Sequence, residues 1–130
     1  MGPLVDTSVL IEYFGGARTR EADVLDKCLA SGIPPATAPV IVQEFLQGFL
    51  RPSLVDTATL YLSQFDRLPP PDYDTHAAAA ALHRAGRRKG QTIPTVDSLI
   101  VEIARRNGVP LLTADAHQRL LARIADVELA

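Results

Sequence analysis

The sequence predicts an α/β fold, a three-layer α/β/α sandwich about a short, mostly parallel sheet. Three observations carry this expectation. The apolar runs Leu4-Val5 and Val109-Pro110-Leu111-Leu112-Thr113 read as buried strands, and a carboxylate, Asp6 or Asp115, follows each closely. Segments with helical spacing of apolar residues fill the chain between them. Strands that alternate with helices pair in parallel, with the helices packed on both faces. No internal repeat or low-complexity linker divides the 130 residues, so residues 1–130 read as one domain.

Taken in order, Val9-Leu10-Ile11 looks like the first turn of a buried helix, which Gly15-Gly16 breaks. Ala22, Leu25, Cys28 and Leu29 recur at helical spacing over 17–31, with Gly32 as the C-cap. The Pro-rich stretch 33–38 connects to a very short strand. Pro39 opens a helix at its first position, where the missing N–H costs nothing; Val42, Leu46, Phe49 and Leu50 form its stripe. Leu54, Ala58, Tyr61, Leu62 and Phe65 predict another helix, and Leu68-Pro69-Pro70-Pro71 a turn or edge segment. Asp74 is the expected N-cap of a helix through 77–85, ahead of a basic loop over 87–94. Thr95 is the expected N-cap of a helix apolar at Val96, Leu99, Ile100, Val101, Ile103 and Ala104, hence buried on more than one side. A seventh helix carries Leu120, Leu121 and Ile124, and residues 126–129 are a last strand candidate.

Composition narrows the function. A net charge of −2 and a pI near 5.9 argue against passive coating of nucleic acid, which needs a basic footprint. They do not exclude an enzyme acting on nucleic acid, since gathered carboxylates are neutralised locally by a bound cation. No run approaches bilayer length, and no basic region precedes an apolar segment as in a secretory signal. The single cysteine, Cys28, rules out an internal disulfide and suits a reducing cytosol, so a cytoplasmic protein is expected. Arg84, Arg87, Arg88 and Lys89 cluster, with a solvated helix end as the plainer reading; Arg87, Arg88 and Lys89 are also candidate contacts for nucleic-acid phosphates.

Four acids stand out. Asp6, Asp97 and Asp115 lie where strands end or helices begin, the mouth of a parallel sheet where ligands sit. Singly, each has a plainer reading as a helix cap or a favourable charge at a helix N-terminus. Glu44 lies on the helical line Val40-Glu44-Gly48 among apolar neighbours, where a partly buried carboxylate needs a cation or a donor. An arginine partner is the alternative there. Clustered carboxylates without a metal repel one another, whereas Mg²⁺ and Mn²⁺ take their oxygens and keep waters that become nucleophiles.

At these residues the sequence resembles PIN domains, and most closely the VapC-type toxin ribonucleases of bacterial toxin–antitoxin pairs. The likeness runs the whole length. It rests on Val5-Asp6-Thr7-Ser8, on Glu44 within Val42-Gln43-Glu44-Phe45, on Ile93 to Ile100 around Asp97, and on Leu112-Thr113-Ala114-Asp115. One departure is Ala114, where the family often has a basic residue. The resemblance implies a PIN-like sandwich of about seven helices and a Mg²⁺- or Mn²⁺-dependent endoribonuclease leaving 5′-phosphate ends. Asp6, Glu44 and Asp97 are then ligands, Asp115 is a further or water-mediated one, and Thr7 and Thr113 support them. A small antitoxin that blocks the site and a homodimer or toxin–antitoxin hetero-oligomer are also implied. Leu54, Tyr61 and Phe65 are candidate contacts for those partners, with core packing the alternative for most of them.

Other readings fit less well. A haloacid-dehalogenase-like phosphatase has a second aspartate two residues after the first, where this chain has Ser8. A response-regulator receiver needs paired acids near the first strand and a late lysine. A paired-histidine ribonuclease would have to use His76, His83 or His117, which lack supporting context. No P-loop, GxGxxG or Cys/His zinc spacing is present. The rival from another class is a catalytically silent PIN fold serving as a binding or scaffold module.

Overall fold

The computed structural model describes residues 2–130. The order is β1 (Leu4–Val5), α1 (Thr7–Phe14), α2 (Arg20–Ala30), β2 (Ala36–Thr37), α3 (Pro39–Leu46), α4 (Pro52–Leu62), β3 (Asp66–Arg67), α5 (Tyr73–Arg88), α6 (Thr95–Asn107), β4 (Leu111–Leu112) and α7 (Ala116–Ile124). All strand pairs are parallel, in the spatial order β3-β2-β1-β4. From β1 the chain builds outward through β2 and β3, then crosses to place β4 on β1's other side. The order therefore reverses between β1 and β4, where an open α/β sheet forms its ligand crevice.

Register aligns that crevice. Leu4 pairs with Leu111 and Val5 with Leu112, so the two strands end level, and Asp6 N–H donates to Leu112 O at 2.9 Å. Leu4, Val5, Leu111 and Leu112 are wholly buried, as expected for strands covered on both faces. Leu10, Ile41, Ile100 and Leu121 supply the covering helices' share of this core. Buried Glu102 accepts from both Arg105 and Arg106, and Arg106 also donates to Asp74 O, tying α6 to the start of α5.

Several local expectations are corrected. Asp72, not Asp74, caps α5, because its carboxylate accepts both the N–H and the hydroxyl of Thr75. That helix runs on through Arg88, so Arg87 and Arg88 occupy its last turn rather than a loop. Gly86 continues the helix because it is buried against Ile93 and Leu121, where it lets α5 approach closely. Thr95 is the first residue of α6 and gives no side-chain cap; Pro94 holds the cap position. Helix α3 ends at Leu46, leaving Phe49 packed beyond it and Leu50 98% exposed. Gly48 thus lies outside the helix, and a side chain there would meet the Phe45 carbonyl, not Glu44. Phe65 lies past the end of α4 and is 5% exposed, so it is core and not partner surface. Tyr61 is half-buried and stacks on Tyr13. Residues 126–129 make a single parallel bridge, Leu111 to Leu129, after Asp126 turns with φ of 56°. No helix among the described residues is long and apolar enough to cross a membrane.

Candidate metal centre

The three acids at strand and helix ends come from the β1/β4 switch point and the start of α6. Asp6 leaves β1 and caps α1, its Oδ2 accepting from Ser8 N at 3.0 Å and Ser8 Oγ at 2.6 Å. Asp115 leaves β4 and caps α7, its Oδ1 accepting from Gln118 N at 2.9 Å. The plainer reading of both as caps is therefore correct, yet each cap uses one oxygen and leaves the other. The strand ends are stitched together: Ala114 N donates to Ser8 Oγ at 3.1 Å, and Asp115 N donates to Thr113 Oγ1 at 3.0 Å. Asp97 sits in the first turn of α6.

A carboxylate oxygen from Asp97, one from Asp115 and a ring nitrogen of His117 lie within 4.8 Å of one another. Gln118 joins Asp6 to this group, because its Nε2 donates to Asp6 Oδ1 at 2.8 Å and to Asp97 Oδ1 at 3.1 Å. Glu44 is connected separately. It stands on α3 and accepts from the Thr7 hydroxyl at 3.0 Å, beside Asp6. Asp97 and Asp115 are thus gathered directly with His117, Asp6 is joined to them through Gln118, and Glu44 flanks Asp6 through Thr7.

The electrostatics are those of crowded, partly buried carboxylates. Burial pushes the Asp97 carboxyl up to about 6; the charges of Asp115 and Asp6 push the same way, while Gln118 and His117 pull it back. Burial also raises Glu44, with the Thr7 hydroxyl opposing and the Asp6 charge adding. Asp97 Oδ2 is buried and has no hydrogen-bond donor among the described residues. A buried carboxylate oxygen without a donor is costly, and a hard divalent cation would relieve both that desolvation and the mutual repulsion. The carboxylate oxygens suit Mg²⁺ or Mn²⁺, and with the His117 nitrogen beside them the acids present fit such an ion.

The basic residues lie along and just past the end of α5. Arg84 and Arg87 line a groove of about 500 Å³ between α5 and α6. Its other wall includes Thr95, Val96, Ser98 and Leu99, the neighbours of Asp97 in sequence. Arg88 and Lys89 are exposed at the end of α5. His83 Nε2 meets Ile93 O at 2.7 Å and so tethers the following loop, while His76 is exposed.

Two residues of the site escaped sequence reasoning, His117 and Gln118. A signal for the second was present, since Asp115-Ala116-His117-Gln118 has the capping-box spacing of acid and glutamine. In a capping box the glutamine reaches back to the cap's N–H. Here Thr113 takes that N–H and the glutamine side chain turns inward.

The PIN-domain family profile matches residues 4–125. The chain belongs to the PIN-domain family. This PIN domain is 30% identical over 129 residues to VapC ribonuclease Mb1587 of Mycobacterium bovis and to Ribonuclease VapC11 of Mycobacterium tuberculosis, spanning 98% of the chain and 96% of each relative. Its place is thus among VapC-type PIN domains. In fold it is similar to VapBC2 from Rickettsia felis bound to a promoter DNA fragment, with TM-score 0.76, 16% identity and coverage of 100% and 98%. It is also similar to a toxin–antitoxin complex from Klebsiella pneumoniae, with TM-score 0.69, 23% identity and coverage of 88% and 87%.

Proposed function

We propose that this PIN domain is the toxin of a toxin–antitoxin pair, an endoribonuclease that hydrolyses RNA phosphodiester bonds with Mg²⁺ or Mn²⁺. The observation that carries the reading is Asp97 Oδ2, buried and without a donor beside Asp115 and within reach of the Gln118 bridge to Asp6. Asp6, Glu44 and Asp97 would hold the ion, with Asp115 as a direct or water-mediated fourth. When bound, the cation supplies Lewis-acid polarisation of the phosphate and a water activated for in-line attack.

The protein's own share is placement and electrostatics. Thr7 holds Glu44, Ser8 holds Asp6, and Thr113 holds the backbone from which Asp115 projects. The N-termini of α6 and α7 both open at the site, and their partial positive charge favours a phosphate. Arg87, Arg88 and Lys89 would carry the RNA backbone away from the acids; phosphate contacts of that kind set register without reading sequence. Names of its relatives and fold neighbours support an antitoxin partner and a hetero-oligomer, and we extend both to this chain, together with a homodimer and a cytoplasmic site of action. Residues 1–130 act as one domain in this reading.

The test compares wild type with Asp6→Asn for growth arrest in cells and for RNA cleavage in vitro, with and without Mn²⁺. Arrest and metal-dependent cleavage by wild type, both lost in the variant, are expected. Equal arrest from the two proteins would remove the enzymatic reading and leave the catalytically silent PIN fold.

A further inference from the structure

We propose that Gln118 is a positioning residue for the cation-binding acids, holding Asp6 and Asp97 at one spacing and leaving the second oxygen of Asp97 free. The proposal rests on the metal-nuclease reading above and names a residue of this chain that sets the site.

The geometry is specific. A side-chain amide nitrogen has two hydrogens, and Gln118 Nε2 is within hydrogen-bond reach of one oxygen from each acid. Those acids stand 91 positions apart (6 and 97) on β1's end and α6's first turn. Asp6 Oδ2 is already taken by Ser8, so with Gln118 on Oδ1 both of its oxygens are oriented. Asp97 has Gln118 on Oδ1, and its buried Oδ2 has no hydrogen bond, with His117 Nδ1 standing 4.0 Å away. The backbone of Gln118 is held in turn by Asp115 Oδ1. One residue therefore touches three of the four acids, and each contact restricts a different carboxylate.

Packing alone does not account for a glutamine here. The residue is 1% exposed, and its Oε1 is buried with no donor among the described residues. An unsatisfied buried acceptor lowers stability, and an apolar side chain of the same length would avoid that loss. What an apolar residue could not do is place two N–H dipoles between two carboxylates. In the metal-free protein that donor pair offsets their repulsion, so the acids stay where a cation needs them. Groups that orient metal ligands by hydrogen bonding are worth about 10–100-fold in metal affinity.

The test is Mn²⁺ binding by titration calorimetry on wild type and Gln118→Met, with the metal-free melting temperature recorded for both. The expected result is an affinity for Mn²⁺ about 10–100-fold weaker in a variant that remains folded. A variant that melts lower yet binds Mn²⁺ as wild type does has lost only packing, and that would overturn the proposal. Should Gln118→Met fail to fold, the wild-type protein decides the matter through the Gln118 side-chain amide resonances during a Mg²⁺ titration. Movement in step with saturation of the site supports the assignment; resonances that stay fixed at saturating Mg²⁺ reject it. A wild-type protein that binds no Mn²⁺ at all removes the nuclease reading itself, and this inference with it.

Discussion

The Thr7 hydroxyl donates to Glu44 Oε1 at 3.0 Å across 37 positions of sequence, fastening α3 to the residue beside Asp6. This bond also opposes the upward push that burial exerts on the Glu44 carboxyl. Thr7→Val keeps the side-chain shape and removes the donor. We expect about 1 kcal/mol of lost stability in denaturant titrations, and Mn²⁺ affinity about tenfold weaker by calorimetry, as for other hydrogen bonds to metal ligands. Unaltered affinity would show that Glu44 needs no help from Thr7.

Asp97 makes stability depend on pH. Its folded value of about 6 lies above the ordinary 3.8, so the folded state holds this proton more tightly than the unfolded chain does. Stability from this group is complete below about pH 4 and is lost as pH rises through about 6. The loss is at most about 3 kcal/mol, at 1.36 kcal/mol per pKa unit. Metal-free Asp97→Asn is therefore expected to exceed wild type in stability at pH 7.5, with the gap closing toward pH 4. Denaturant midpoints across that range measure it, and a gap independent of pH would contradict the assignment.

Gly86 is a packing glycine inside α5. A methyl group there would strike Ile93 Cδ1 and stand 3.0 Å from Leu121 Cδ2. Alanine gains about 1 kcal/mol of helix propensity over glycine, but forcing a methyl into a filled core costs about 1–3 kcal/mol. The expected sum for Gly86→Ala is a lower melting temperature. Since Ile93 opens the segment that leads into α6, cleavage activity should fall as well. A more stable Gly86→Ala protein would show that the 91–94 segment yields easily.

Arg87 and Arg88 stand in the last turn of α5 and test the RNA path. Arg87→Ala with Arg88→Ala should weaken RNA binding uniformly across sequences. For a single strand, each phosphate that an arginine no longer neutralises flattens the slope of log K against log salt by about 0.7. Fluorescence anisotropy at several salt concentrations reads this directly. Identical slopes would assign the two arginines to the solvated end of the helix.

Much of the candidate site's placement was legible because its acids obey local rules. Asp6 and Asp115 follow apolar strands and begin helices, a placement visible in a linear string of residues. The alternation of strand and helix was equally plain, and it dictated the parallel sheet. What could not be read was anything set by tertiary approach. Gly86 looks like a helix breaker until Ile93 and Leu121 are seen against it, so α5 was expected to stop early. The 126–129 segment alternates like a strand, but Asp126 turns the chain and only Leu129 reaches β4. Gln118 has the spacing of a capping residue and spends its side chain on two acids from distant elements. Exposed Leu50 and Leu60, 98% and 73% accessible, replace Phe65 as the apolar surface near α4.

Strand β3 forms the outer margin of the sheet, and it consists of two exposed, oppositely charged residues, Asp66 and Arg67, with three prolines from Pro69 to Pro71 soon after. At the opposite margin, the bridge from Leu129 shields β4. Among the described residues, each margin offers an incoming chain only a very short ladder of backbone amides. A partner that grips the helices therefore meets far more surface than one that adds a strand, and molecules stripped of a companion have little seam along which to stack into fibres.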